Sequence, residues 1–220
     1  MKTNNWLTDL RHTAPATSIF AVICIGVYLV TAVQARSLDN SVWGSELGSR
    51  MVLWGPYVQD EPFGALRALS AVFLHLDIGH LAFNILFLLL VGAEVERFVG
   101  TRAYAVAFVA GGLGGSAAVL LMDFGTPTAG ASGALYALMA VLVAIASRRS
   151  TDLRGPLVLV GVNVVYSLLS SGVSLWGHLG GLAAGAVMAW PLTGPSASTR
   201  VLASVVTGIV AFGIVLFIAL

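Results

Sequence analysis

The chain is poor in charge and in cysteine. Only 10% of its 220 residues are Asp, Glu, Lys or Arg, 58% are hydrophobic, and the mean hydropathy is +0.93. A soluble domain carries about 25% charged residues, so a soluble globular enzyme is excluded. The formal net charge of +1 leaves no basic excess to hold a polyanion, and no nucleic acid partner is implied. The single cysteine, Cys24, excludes an intrachain disulfide, and its place in an apolar run makes it an inert core thiol. Four histidines stand without cysteine or carboxylate at ligand spacing, so neither a metal site nor a cofactor is expected. An arginine- and serine-rich leader is also lacking, which favours a bacterial plasma membrane over an organelle.

What the chain has in quantity is long apolar runs. Hydropathy marks seven candidate spans, Ala16–Val33, Gly79–Val95, Tyr104–Leu121, Ser132–Ala146, Pro156–Leu169, Gly177–Leu192 and Val201–Leu220, each about as long as a bilayer crossing needs or a little short. The expected fold is all-α, a polytopic bundle of membrane helices, because a helix satisfies its own backbone where no water can. The first run also resembles a cleaved signal peptide ending near Val33-Gln34-Ala35. It is long for that role, and its nearest basic residue, Arg11, stands well back.

A cytoplasmic amino terminus puts Lys2, Arg11, Arg97, Arg102, Arg148, Arg149, Arg154 and Arg200 inside and only Arg36, Arg50 and Arg67 outside, eight against three. Acidic residues lean outward with less weight: Asp39, Glu46, Asp60, Glu61, Asp77 and Asp123 against Asp9, Glu94, Glu96 and Asp152. Seven crossings then leave the carboxyl terminus outside.

Two runs in this apolar setting carry chemistry. Gly130-Ala131-Ser132-Gly133-Ala134-Leu135-Tyr136 opens the fourth span, and Gly177-His178-Leu179-Gly180-Gly181 opens the sixth. A hydroxyl and an imidazole at membrane depth are costly unless they face a protein partner or a water-filled cavity, and each is the other's obvious partner. A serine beside an imidazole is what a nucleophile needs to lose its proton as it attacks an acyl carbon. Their separation of 46 positions covers two crossings with their loops and returns the chain to the same depth. Because the second, fourth and sixth spans all start at the outer face, His80 and Asn84 share that layer with Ser132 and His178. Gly177, Gly181, Gly185 and Ala189 recur every four residues on the sixth span, and Gly133 and Ala137 do so on the fourth, which lets the two helices approach closely. A packing seam alone would account for the glycines and the serine. The histidine on the partner helix argues for a site.

Together, Gly130-Ala131-Ser132-Gly133, the run His75-Leu76-Asp77-Ile78-Gly79-His80-Leu81-Ala82-Phe83-Asn84 and Gly177-His178-Leu179-Gly180-Gly181 resemble the rhomboid intramembrane serine proteases, in the family's order and on the expected spans. The resemblance covers residues 15–192 and implies a six-helix catalytic core there, with a long outer interfacial loop at 34–78. Around that core it leaves a cytoplasmic segment at 1–14 and, at 193–220, a linker with an additional carboxyl-terminal helix, as in six-plus-one members. It implies Ser132 as nucleophile, His178 as general base, His80 and Asn84 as the side chains lining the oxyanion site, and Tyr136 as the aromatic beside the base. Gly130 and Gly133 support the nucleophile. Arg67 matches the arginine of a Trp-Arg pair in the first outer loop, but Leu66 replaces the tryptophan and leaves that loop's packing open. Glu96 and Arg97 match a charged stretch of the inner loop. The partners implied are transmembrane-protein substrates and the lipid bilayer.

Spacing supports these roles. His80 and Asn84 are four residues apart and share a helix face, where donors would meet the negative charge of a tetrahedral intermediate; an asparagine at this depth also serves as interhelical glue. Tyr136, four residues after Ser132, is placed to stack on His178 and hold its ring. Asp77 is the nearest acidic candidate for a third member but belongs to a different helix, so the pair reads as a dyad. Slow turnover is expected, since losing a triad's aspartate can cost about 10⁴ in rate. His75 reads as a loop-packing or interfacial histidine and His12 as a solvated one. Trp43, Trp54, Tyr57 and Phe63 suit a segment half sunk in the outer leaflet. The loop Ser170-Ser171-Gly172-Val173-Ser174-Leu175-Trp176 would cap the site, as a moving lid or a plain turn. The seventh span carries no ionisable group and is expected only to pack. The predicted function is hydrolysis of peptide bonds in or next to transmembrane helices. The alternative is a non-proteolytic relative or a transporter whose buried polar residues bind a substrate or ion.

Overall fold

Proline at the head of an apolar run sets the first long helix. In the computed structural model, which describes residues 6–170 and 172–220, a short helix α1 (Trp6–Thr13) leads into α2 (Pro15–Ala35). Lys2 and Ser171, named above, lie outside the described residues. Pro15 suits a first turn because its missing N–H has no intrahelical partner to lose. The next amides of α2, those of Ala16 and Thr17, donate to the Glu96 carboxylate at 3.0 and 2.8 Å, and the Thr17 hydroxyl adds a third bond at 2.8 Å. Glu96 is 1% exposed. A buried acid from a distant part of the chain thus caps the positive end of this helix.

The segment that follows α2 folds into three short helices, α3 (Glu46–Met51), α4 (Gly55–Asp60) and α5 (Arg67–Ser70). Arg67 organises it. Its buried guanidinium donates to Ser49 O at 2.7 Å and Val52 O at 3.1 Å, pairs with Glu61, and lies 4.8 Å from the Tyr57 ring centroid. Leu66 faces outward, so the loop is packed around the arginine without a tryptophan beside it.

Next come α6 (Ile78–Phe87), a wide turn of π geometry at Leu88–Gly92, and α7 (Ala93–Val99), which together make one apolar rod of 22 residues. The remaining helices are α8 (Thr101–Met122), α9 (Ser132–Arg148), α10 (Arg154–Leu169), α11 (Leu175–Leu192) and α12 (Ala197–Ile218). The predicted spans correspond to α2, the α6–α7 rod and α8 to α12. The chain is an all-helical, multi-pass membrane bundle. By length and hydropathy α2, the α6–α7 rod, α8 and α12 are each long and apolar enough to cross a bilayer, whereas α9 and α10 have 17 and 16 residues.

α8, α9 and α11 form the centre. A Cβ built on Gly181 would lie 1.9 Å from Gly133 O, so the backbones of α9 and α11 touch with no room for a methyl group. α12 packs on α8, and α10 lies at the margin with Asn163 and Ser167 as its buried residues. One expectation is corrected at α12. The helix starts at Ala197, because Ser196 caps it by accepting from Thr199 N at 3.4 Å, and so takes in Arg200. That guanidinium donates to Gly194 O at 2.6 Å and to Phe98 O and Val99 O at 3.2 Å, tying α12 to the end of α7 by more than apolar packing.

Candidate active site

Helix starts bring the polar residues together. Ser132 is the first residue of α9, preceded by Gly130 at φ 130°, a conformation only glycine adopts without strain. A Cβ there would also lie 2.7 Å from Cε1 of His80, so Gly130 gives that imidazole its seat. His178 lies in the first turn of α11, whose cap, Ser174, accepts from Gly177 N at 3.1 Å. Its Nε2 is 2.8 Å from Ser132 Oγ, and the ring is 6% exposed. The Tyr136 ring stacks on it with centroids 4.3 Å apart and an interplanar angle of 12°.

His80 and Asn84, one turn apart on α6, border the same cavity as Ser132, Tyr136 and His178. Asn84 is 2% exposed and spends one amide hydrogen on His80 O at 2.8 Å, leaving its second hydrogen uncommitted. Asp77 caps α6 by accepting from His80 N at 2.8 Å and does not reach the base. His75 is fully buried with its ring 5.1 Å from that of His80. Burial, reinforced by the neighbouring His80, pushes its imidazole down to about 3, so it packs as a neutral group. His12 is exposed.

The residues that sequence reasoning missed are on α10. Ser167 Oγ lies 2.7 Å from His178 Nδ1, and the Tyr136 hydroxyl meets both Ser167 Oγ at 2.6 Å and Asn163 O at 2.5 Å. A signal was available. Asn163 and Ser167 are polar, four residues apart, and therefore on one face of an otherwise apolar helix.

Two large cavities lined by described residues flank the serine. One, of about 560 Å³, runs between α6 and α10 and is walled by Phe83, Phe87, Met139, Tyr166 and Leu169. The other, of about 370 Å³, lies under the loops that precede α9 and α11 and is bordered by Asp123, Thr126 and Gly172. Ser132 and His178 border both. Depth follows from helix length. At 17 residues α9 rises about 25 Å, short of a hydrocarbon layer of about 30 Å, so a helix anchored at Arg148 ends below the far surface. Charged and cationic contacts gather at the opposite end of the bundle: Arg149 pairs with Glu94 at 2.7 Å, and Arg148 lies 3.6 Å from the Trp190 ring centroid. The arrangement holds a hydroxyl and an imidazole nitrogen in contact, with a cavity on either side of them.

The family profile described as the Rhomboid domain matches residues 62–195. The chain is 36% identical over 136 residues to the rhomboid protease GluP of Bacillus subtilis, covering 60% of this chain and 27% of that protein. It is 32% identical over 123 residues to the human Rhomboid-related protein 3, covering 56% of this chain and 27% of that protein. To the rhomboid protease GlpG of Klebsiella pneumoniae it is 29% identical over 136 residues, covering 61% of this chain and 45% of that protein. The matched part therefore spans less than half the length of each relative.

Proposed function

Because the chain belongs to the rhomboid family, we propose that it is an intramembrane serine endopeptidase that cleaves membrane-protein substrates in or next to their transmembrane helices, with Ser132 and His178 as its catalytic dyad. One observation carries this reading: Ser132 Oγ lies 2.8 Å from His178 Nε2, within reach for proton transfer. As Ser132 Oγ bonds to the scissile carbonyl carbon, its proton passes to Nε2 and the carbonyl π pair moves onto oxygen. His178 then gives the proton to the departing amide nitrogen as the C–N bond breaks, and water repeats the sequence to free the acyl group. His80 and Asn84 are the proposed donors to the oxyanion, and Tyr136 holds the plane of the base.

The flanking cavities support a substrate that lies extended across Ser132, with its lipid-buried part between α6 and α10 and its outer part under the loops. A helical substrate hides its carbonyls, so local unwinding precedes attack, and small or helix-breaking residues make that easier. The cluster of Arg148, Arg149 and Arg200 at the end remote from Ser132 supports a cytoplasmic amino terminus, an external carboxyl terminus and a site near the outer face of a bacterial plasma membrane. The deciding experiment is covalent labelling by a serine-directed fluorophosphonate. The parent should label and cleave a transmembrane reporter. Ser132→Ala should do neither while remaining folded, and His178→Ala should lose both activities. Labelling that persists at the parental rate in Ser132→Ala would remove the assignment.

A further inference from the structure

We propose that Ser167 is the positioning residue of the base: its hydroxyl accepts the Nδ1 proton of His178 and so leaves the Nε2 lone pair facing Ser132. The inference rests on the serine-protease reading above. A neutral imidazole carries one proton on either nitrogen, and the group opposite Nδ1 decides which. A base that takes the Ser132 proton on Nε2 must hold its own on Nδ1. Ser167 Oγ stands 2.7 Å from Nδ1, while Nε2 stands 2.8 Å from Ser132 Oγ.

The far end of this chain offers the Ser167 proton acceptors other than the base. The carbonyl of Asn163 can only accept, and it lies 2.8 Å from Ser167 Oγ and 2.5 Å from Tyr136 Oη. With the Tyr136 hydroxyl donating to that carbonyl, the Ser167 proton has two acceptors other than Nδ1, the same oxygen at 2.8 Å and Tyr136 Oη at 2.6 Å. Both destinations lie away from His178 and leave a Ser167 lone pair for Nδ1–H. The reverse arrangement, Ser167 donating to Nδ1, would put the ring proton on Nε2 against Ser132, where no proton could be taken up. Stacking by Tyr136 fixes the plane of the ring but is indifferent to which nitrogen is protonated; Ser167 makes that choice.

The network is closed to solvent. Ser167 is 3% exposed, Tyr136 3% and Asn163 7%, so water offers Nδ1 no ready substitute partner. Asn163 and Ser167 are also the buried residues of α10, so the contact that docks this marginal helix is the same one that orients the base.

The test uses the full chain in detergent micelles with ¹⁵N-labelled histidine. The ring-nitrogen resonances of His178, identified by their loss in His178→Ala, show which nitrogen is protonated, and kcat, KM and melting temperature are measured on the same samples. The parent should carry its proton on Nδ1. Ser167→Ala should shift His178 toward the Nε2–H form and lower kcat on the order of tenfold, the rate equivalent of one hydrogen bond, with KM unchanged. Ser167→Thr, which keeps the hydroxyl, should restore both. An Nε2–H ring in the parent overturns the proposal, and this holds even if Ser167→Ala fails to fold. A Ser167→Ala protein with parental tautomer and kcat but a lower melting temperature makes Ser167 a structural tie only and also overturns it. Parental cleavage and fluorophosphonate labelling run alongside: if the parent shows neither, the protease reading itself fails.

Discussion

Replacing Gly181 by alanine tests whether helix contact alone sets the dyad geometry. The added Cβ would fall 1.9 Å from Gly133 O, where ordinary contact begins at 3.4 Å, so α9 and α11 must part by about 1.5 Å at that level. Both atoms that clash are fixed to helix backbone, so no side chain can turn away to absorb the strain. His178 sits one turn before Gly181, and Ser132 adjoins Gly133. A retreat of that size stretches the 2.8 Å contact between Ser132 and His178 to about 4 Å, beyond hydrogen-bond range. A misplacement of about 1 Å can cost 10²-fold in rate, so labelling of Ser132 by fluorophosphonate and cleavage of a transmembrane reporter should each fall about 10²-fold. Stability should change less than activity, because overpacking at about 1–3 kcal/mol is partly offset by about 1 kcal/mol of better helix propensity. Gly161→Ala is the control, since a Cβ there meets nothing within 4 Å; it should label at the parental rate. A Gly181→Ala protein that labels and cleaves like the parent would refute the argument that this seam fixes the dyad.

Asn84→Ala should lower kcat on the order of 10²-fold with little change in substrate binding, because an oxyanion donor acts on charge present only near the transition state; normal turnover with a lowered melting temperature would make Asn84 interhelical glue instead. Glu96→Ala strands two amides and a hydroxyl at the head of α2 and should destabilise by about 3 kcal/mol or more, read as a lower melting temperature with activity per folded molecule preserved. An unchanged melting temperature would show that this cap contributes nothing. For topology, a cysteine at position 148 in a Cys24→Ala background should resist an impermeant thiol reagent added outside intact cells; blocking it from outside would reverse the orientation and put Ser132 near the wrong face.

Much of the fold was legible because membrane helices declare themselves by composition. Hydrophobic runs located all of the long helices to within a few residues, and the parity of crossings put His80, Asn84, Ser132 and His178 at one level. The glycine spacing also foretold which helices touch, since only small residues allow backbones that close. Two things escaped. The start of α12 was set too late because Arg200 ends an apolar run by hydropathy, yet it lies inside a helix that Ser196 had already capped. Ser167 escaped because one serine in a lipid-facing helix has an innocent reading, a bond to its own backbone, and it makes that bond too, to Asn163 O at 2.8 Å. Sequence periodicity shows which residues share a helix face, but not which neighbouring helix that face meets.

The cap on α2 bears on how the protein is made. Ala16 N and its acceptor on Glu96 are 80 residues apart, and the chain leaves the ribosome amino terminus first. At a synthesis rate of about 5–20 residues per second, the first long helix waits roughly 4–16 s before its acceptor exists. During that interval its leading amides have only water or lipid headgroups to bond. The helix can enter the bilayer early, but its leading amides meet their acceptor only when α7 arrives, so biogenesis carries a built-in order in which the leading end of the first long helix is the last part of it to be fastened.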